Sequence, residues 1–401
     1  MALIGGWQPV CNVVIAISRN VLRDQGVTIR YEMEFYPMPS KPPVRYDPSV
    51  ETVASDEQET LAGLKDSFRE ILETTSQDYG HAVRAVHAKA HGIARGMLTI
   101  SADLPHEFAQ GIFATPGEHE AILRISTNAG DILDDSISLP RGLALKILDV
   151  AGARLPGSDG ATTQDFIMVN GPAFAAADAK AFSKNLKLLS KTTDKFEGVK
   201  KAMSATFRVV EAALEAVGGQ SSTLQTLGGA KPVHPLGETY YSQTPLRYGD
   251  YIAKIALFPV SPSLTRLTGD MVDITARPDA LREVVREELI EHGGAWELRV
   301  QLNTDLEAMP IEDASVVWDE AESPFVTVAT LTVEPQISWE QGVTDRTDDA
   351  LVYSIWNGVS AHQPLGGVNR ARKDTYALSA NFRGKFNGCP VHQPASLAEL
   401  A

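Results

Sequence analysis

The run Arg84-Ala85-Val86-His87-Ala88-Lys89-Ala90-His91-Gly92 places a guanidinium and two imidazoles within nine residues, and Arg124 and Arg141 follow it. An imidazole titrates near neutrality and can take up and return a proton. Guanidiniums suit carboxylates through bidentate, charge-assisted hydrogen bonds. These residue types predict an anionic ligand held above a proton-transfer base, His87. Blander readings stand beside this one: His87 as a satisfied histidine at a strand start, and the arginines in ordinary surface salt bridges. His91, four residues after His87, would give a metal-binding pair if the run were helical, but Gly92 and the strand-like sequence after it argue against a helix.

Val86-His87-Ala88-Lys89, with Arg84 three residues before the histidine, resembles the distal-histidine motif of haem catalases. Leu123-Arg124-Ile125-Ser126-Thr127 and Arg141-Gly142-Leu143-Ala144-Leu145-Lys146 are similar to that family's next two blocks, in the same order. Three ordered blocks are more specific than any one alone. The resemblance implies an α+β fold, a catalase-like antiparallel eight-stranded β-barrel with surrounding helices. It implies haem as cofactor, with Val86 against it and Arg84 and Arg124 on its propionates. His87 would shuttle the proton as a peroxide O–O bond is cleaved. The implied activity is that of a haem-dependent oxidoreductase on hydrogen peroxide or an organic hydroperoxide; Arg141 matches its block with a structural role open to it.

Further along, Thr162 to Phe174 aligns with the family's distal region. There Thr163 stands where the family has an asparagine that orients peroxide, and Phe174 is placed as the ring that stacks on the porphyrin. On the proximal side the family has an arginine four residues before the iron-ligating tyrosine, and a short His-Arg-Leu-Gly-Pro-Asn block after it. His362-Gln363-Pro364-Leu365-Gly366-Gly367-Val368-Asn369 resembles that later block, with Gln363 in place of an arginine. Counting back from His362, Trp356 falls nearest the ligand position, and indole is not a normal haem ligand. Tyr353, three residues earlier, is the iron ligand in a shifted register. Val352 and Asp349 occupy the positions four residues before Trp356 and Tyr353, so neither frame supplies the partner arginine. Two alternatives therefore stay open: a haem-free catalase fold used for binding or as a scaffold, and a biosynthetic enzyme on the same fold.

The elements that must position these residues are legible from periodicity. Ser55 opens a helix with Gln58 in capping-box position and Leu61, Leu64, Phe68, Ile71 and Leu72 on one face, ending at Tyr79-Gly80. Strands are predicted over 93–100, 121–127, 143–150, 165–169, 240–259, 296–302 and 326–333. Helices are predicted around Phe182 to Leu189, Phe196 to Val210 and Arg277 to His292, with a closing one from about Asn369 to Phe386. Pro37, Pro39, Pro42, Pro43 and Pro48 make residues 1–50 an extended arm, a feature shared with catalase-like chains that exchange arms in oligomers. The expected division is this arm, a barrel domain over 51–390 and a tail over 391–401.

Composition bounds the rest. The chain has 401 residues, 43% apolar and 22% charged, enough for a sizeable core. Its net charge of −15 argues against nucleic acid or an anionic membrane surface as partner. Cys11 and Cys389 are too few and too far apart for a disulfide framework, which makes a reducing cytoplasm the expected location. No stretch has the roughly 18 uninterrupted apolar residues of a membrane span. The N-terminus lacks the basic n-region of a signal peptide. A small-molecule peroxide substrate and a homo-oligomer are the expected partners.

Overall fold

Apolar residues alternate with a period of two along the predicted strands, and the chain uses that alternation to close a barrel. The structure, a computed structural model, describes residues 13–17, 33–193, 229–389, 391 and 393–400. Strands β1 (Val13–Ile17) and β2 (Met33–Pro37) form a separate antiparallel pair. The body contains β3 (Ala90–Ile100), β4 (Gly117–Thr127), β5 (Arg141–Ile147), β6 (Gln164–Val169), β7 (Tyr240–Tyr241), β8 (Leu246–Tyr248), β9 (Tyr251–Pro259), β10 (Gly294–Leu302) and β11 (Val326–Val333). All pair antiparallel, in the order β10-β11-β3-β4-β5-β6-β7-β9, and β9 pairs back onto β10. The result is a closed eight-stranded barrel, with β8 added beside β7 on the same edge of β9. This is the α+β architecture expected.

Closure fixes what each side of a strand does. Leu98, Leu123, Ile125, Leu143, Leu145 and Ile147 belong to the main core, which fills the barrel. The alternate residues Arg124, Ser126, Gly142 and Ala144 face outward, where helices cover them. The stretch Tyr240 to Pro259, read as one strand, is three, because the chain turns at Gln243 (φ 61°) and Gly249 (φ 62°).

Among the described residues the helices are α1 (Glu57–Tyr79), α2 (Ala179–Thr193), α3 (Pro262–Thr265), α4 (Ala280–Glu291), α5 (Thr344–Ala350) and α6 (Gly367–Phe386). Helix α1 buries Leu64, Phe68, Ile71 and Leu72 as its periodicity predicts. Its N-cap is Asp56 rather than Ser55, without a side-chain cap, and Gly80 ends it in the left-handed conformation that glycine adopts freely. Helix α6 begins at Gly367, so Asn369 to Lys373 are helical as expected. The predicted helix around Phe196, Val199, Met203, Phe207 and Val210, with its Gly218-Gly219 stop, lies outside the described residues.

The segment after β2 runs extended along the body, with Val44 N–H bonded to Asn303 O at 2.8 Å and Tyr46 N–H to Asp250 O at 2.8 Å. Near the other end, Leu397 N–H donates to Glu120 Oε2 at 2.9 Å, and Gln393 accepts from Lys146 Nζ.

Lys146 and Asp165, on adjacent strands, form an ion pair at 2.6 Å with both side chains fully buried. Burial pushes each toward its neutral form, and each restrains the shift of the other. Removing one partner strands the other charge, so Asp165→Ala should cost about 3–5 kcal/mol in a denaturant titration. Replacing both residues by apolar ones of similar volume should recover most of that loss.

Candidate functional site

Helix α6 and the outward face of β4, β5 and β6 do not close on each other. Between them lie two adjoining cavities, one narrow and one wider, which share Phe68, Val86, His87, Ile167 and Tyr376 in their walls. One wall is α6: Val368, Ala371, Arg372, Thr375, Tyr376, Ser379, Ala380 and Arg383 follow one another at the three- and four-residue spacing of a single helix face. The opposite wall carries His87, Ser126, Gly142 and Ala144. The space is a slot with an imidazole on one side and a phenol on the other.

His87 lies in the loop between α1 and β3 with φ 55°, a left-handed conformation uncommon outside glycine and costing of order 1–3 kcal/mol. The backbone that holds it there is bonded on both sides of the site: His87 N–H to Asn128 O at 3.2 Å and Ala88 N–H to Ala129 O at 2.8 Å. Its Nδ1 meets Ser126 Oγ at 3.1 Å, and Ser126 Oγ in turn lies 3.5 Å from Gly142 O. A hydroxyl that donates to Gly142 O accepts from Nδ1–H, which leaves the Nε2 lone pair toward the slot. The ring rests on Gly142, where an added Cβ would stand 2.4 Å from Cε1. Burial, with Arg124, Arg372 and Arg84 adding to it, lowers the His87 pKa to about 3, so the imidazole is neutral at physiological pH.

Arg84 and Arg124 are brought together as the sequence predicts, but on a carboxylate of the chain itself. Asp348, in α5, accepts from Arg124 Nε at 2.6 Å and Nη2 at 3.0 Å, and lies 2.9 Å from Arg84 Nη1. Arg84 Nη2 also donates to the carbonyls of Asp348 (2.7 Å) and Leu351 (2.9 Å). Arg383 of α6 joins the cluster, donating to Asp349 O at 3.1 Å and Leu351 O at 3.3 Å, while its buried Nε has no partner. Burial pushes the Asp348 carboxyl up, but Arg124 and Arg84 outweigh it and hold the group well below the usual carboxylate range. Burial and the neighbouring Arg124 bring Arg84 down to about 9.

The tyrosine best placed for ligation chemistry is one that the sequence reading passed over. Tyr376 Oη accepts from Arg372 Nη2 at 2.8 Å and Nε at 3.1 Å, an arginine four residues before a tyrosine on one helix face. One guanidinium thus turns two N–H donors to a single phenolic oxygen. The same spacing at Arg247 and Tyr251 is a decoy: Arg247 donates to Gly249 O at 2.7 Å and stacks on Tyr46. Searching the whole chain for Arg-x3-Tyr on a helical face, rather than counting back from His362, would have found Arg372 and Tyr376. Ser126, too, was overlooked, although it sits within a block that the sequence singled out.

The remaining predicted residues divide. Val86 lines both cavities and Phe174 the wider one, where Phe174 packs on Phe182 at 5.2 Å between centroids. Tyr353 lines the narrower cavity with a fully buried, unpartnered hydroxyl, and burial raises its pKa. Trp356 lies behind that wall, its Nε1–H donated to Asn369 O at 2.7 Å. Thr163 is apart from the slot: its Oγ1 accepts from Asn357 at 2.7 Å and its carbonyl from Arg154 at 2.6 Å. His362 is enclosed by Phe113, Phe166 and Tyr248, and accepts Ile112 N–H at Nε2 at 3.0 Å. Asn128 and Asn170, not Thr163, supply amides along the wider cavity. His91 is buried on Thr127 at 2.6 Å, and among the described residues no group of His, Cys, Asp and Glu is arranged to hold a metal ion.

Three features of these cavities bear on a haem-like group. The walls are largely apolar, a neutral imidazole faces an arginine-backed phenol, and guanidiniums cluster at one end. Against these stands Asp348, which occupies the arginines that would hold the acidic edge.

No protein-family model and no curated protein matches the sequence. Solved structures do. Catalase A from Saccharomyces cerevisiae superposes with a TM-score of 0.55 at 15% identity, covering 82% of this chain and 66% of that one. A fungal catalase gives 0.52 at 18% identity, covering 80% and 64%. The chain thus spans about two-thirds of the length of the catalases it matches, and its fold is catalase-like.

Burial also lowers His362 to about 3, His234 to about 4 and His91 well below its ordinary value, so with His87 four histidines stay neutral in the folded chain well below 6.5. The unfolded chain binds more protons between those values, so acid favours unfolding. Stability should therefore hold above about pH 6.5 and fall as pH drops toward 4, each histidine contributing up to about 1.4 kcal/mol per pH unit. Denaturant midpoints at pH 7.5, 6, 5 and 4 check this, and His362→Gln should flatten the slope.

Proposed function

We propose that this chain is a catalase-like haem-binding oxidoreductase that acts on hydrogen peroxide or an organic hydroperoxide. The observation that carries the reading is the slot itself, with His87 on the barrel wall and the Arg372–Tyr376 pair on the α6 wall. Val86, Phe174 and Ala380 would pack against the cofactor, Tyr376 Oη would ligate its iron, and His87 would stand on the other face. Tyr353, the ligand in a shifted register, is the weaker candidate, because no cation donates to its hydroxyl and burial opposes its ionisation. Bound haem would supply the redox chemistry of its iron.

The chain's own part is proton management. Ser126 fixes the imidazole through Nδ1, so Nε2 is free to accept a proton from peroxide and return it to the departing oxygen. Because His87 is neutral, it begins each turnover as a base, and a drop toward its pKa of about 3 would be needed to disarm it. The left-handed backbone at His87 and the glycine beneath its ring keep the imidazole in one place. A second reading, a haem-free binding protein on this fold, is favoured by one observation, the carboxylate of Asp348 on both Arg84 and Arg124.

Protein expressed with ample haem precursor should show a Soret band that Tyr376→Phe abolishes or shifts and Tyr353→Phe leaves in place. The reverse pattern would make Tyr353 the ligand, and no band in any form would decide for the haem-free reading. His87→Ala should keep the band and lose peroxide turnover by about 10²–10⁴-fold, the usual contribution of a positioned acid–base group.

A further inference from the structure

Gln243 follows β7 and lines the wider cavity while only 8% exposed. Its Nε2 donates to Gly171 O at 3.0 Å and Ala173 O at 2.6 Å, which fixes the amide and pins the loop that leads to Phe174. With both carbonyls on the nitrogen, Oε1 is turned the other way. No described residue donates to that oxygen, and it is open to the cavity rather than sealed in protein. The backbone is held in the left-handed region at φ 61°, at a cost of order 1–3 kcal/mol for a residue other than glycine. Among the described residues five non-glycine residues are so held, and the two that line this cavity are His87 and Gln243. The loop bonds account for Nε2 and leave the oxygen unexplained. An amide oxygen can only accept, so its partner must bring an O–H or N–H.

The pairing of the strands gives the distance from the base. His87 rests on Gly142 of β5, Gly142 pairs with Val169 of β6, and Val169 with Tyr241 of β7, two residues before Gln243. Two strand spacings separate base and acceptor by about 10 Å. Between them Arg141, Asn170 and Glu238 bond one another. The facing wall, with Leu64, Phe68, Phe182 and Val368, is apolar.

We propose that the wider cavity takes an organic hydroperoxide with a hydroxyl or N–H donor about 10 Å from its O–O bond, and that Gln243 Oε1 selects it by accepting from that donor. The inference rests on the haem reading for the peroxide end, but the acceptor can be tested with unreactive ligands. Hydrogen peroxide spans no such distance and gains nothing from this acceptor. Gln243 is here a specificity residue.

Gln243→Lys keeps donors for Gly171 O and Ala173 O and removes the acceptor. The acceptor is tested by calorimetric titration of the protein as purified with a straight-chain primary alcohol and with a methyl ether of equal length. The parent protein should bind the alcohol about tenfold more tightly, the difference one hydrogen bond makes, and Gln243→Lys should bind the two within about threefold of each other. The span is tested with haem-loaded protein on ω-hydroxyalkyl hydroperoxides of increasing chain length and on their ω-methoxy counterparts. The hydroxyl should lower KM by about tenfold once the chain reaches about 10 Å and not in shorter members, and Gln243→Lys should erase that gain. Equal binding of alcohol and ether by the parent protein, or a preference that Gln243→Lys retains, would overturn the proposal, as would a gain indifferent to chain length. Should the variant not fold, the two ligand comparisons on the parent protein decide alone. A Gln243-dependent preference for the alcohol with no hydroperoxide turned over would overturn the haem reading and the hydroperoxide substrate together, while the acceptor at Gln243 would stand.

Discussion

Asp348 meets Arg84 of the loop before β3, Arg124 of β4 and, through the field of the cluster, Arg383 of α6. A single carboxylate thereby joins the segment that carries His87, the sheet that supports it and the helix that faces it. Buried charges of like sign would drive these segments apart, and the carboxylate makes their convergence tolerable. Burial first, and Arg124 beside it, still bring the Arg84 guanidinium down to about 9. Burial keeps the His87 imidazole neutral, and Arg124 and Arg84 of this cluster add to its effect.

Helix α6 is anchored independently at its start. Arg370 bonds Glu51 at 2.6 Å, Glu57 at 2.8 Å and Glu312 at 3.0 Å, so the extended segment, α1 and the loop before β11 all meet the first turn. At its other end Asn387 accepts Ala82 N–H at 2.8 Å. Between these anchors the helix packs on α1 and α2. Tyr376 lies midway along its slot-facing stripe, bonded to Arg372 and packed on the cluster of Ala144, Ile167 and Ile355.

The barrel was legible because period-two alternation is a local signal, written into each of β3, β4, β5, β10 and β11. The convergence of Arg84, His87 and Arg124 was legible for a similar reason: they sit in blocks whose spacing is fixed by a loop and two paired strands. The opposite wall was not. The reading was tied to His362, which the fold turns into a pocket of aromatic rings inside the barrel, and so it arrived at Tyr353 and Trp356. Arg372 and Tyr376 were read only as part of a closing helix, since nothing in one sequence tells which face of a helix meets a cavity. Thr163 was misleading for another reason. It stands at the start of β6, tied to Asn357, whereas the amide that reaches the wider cavity, Asn170, follows that strand's far end. Asp348 carried no sequence signal at all, being one acid in an acidic stretch.

Because β4 and β5 send alternate residues to opposite sides, the chain keeps two ledgers on one strand. Leu123, Ile125, Leu143 and Leu145 write the fold, and Arg124, Ser126, Gly142 and Ala144 line the cavity outside it. Substitutions on the outward set can retune or erase a site while the barrel persists, which suits a chain whose backbone stays catalase-like at 15% identity. A one-residue insertion within either strand has no such freedom, since it exchanges the two sets downstream. Divergence in this protein is therefore open to replacement and closed to slippage.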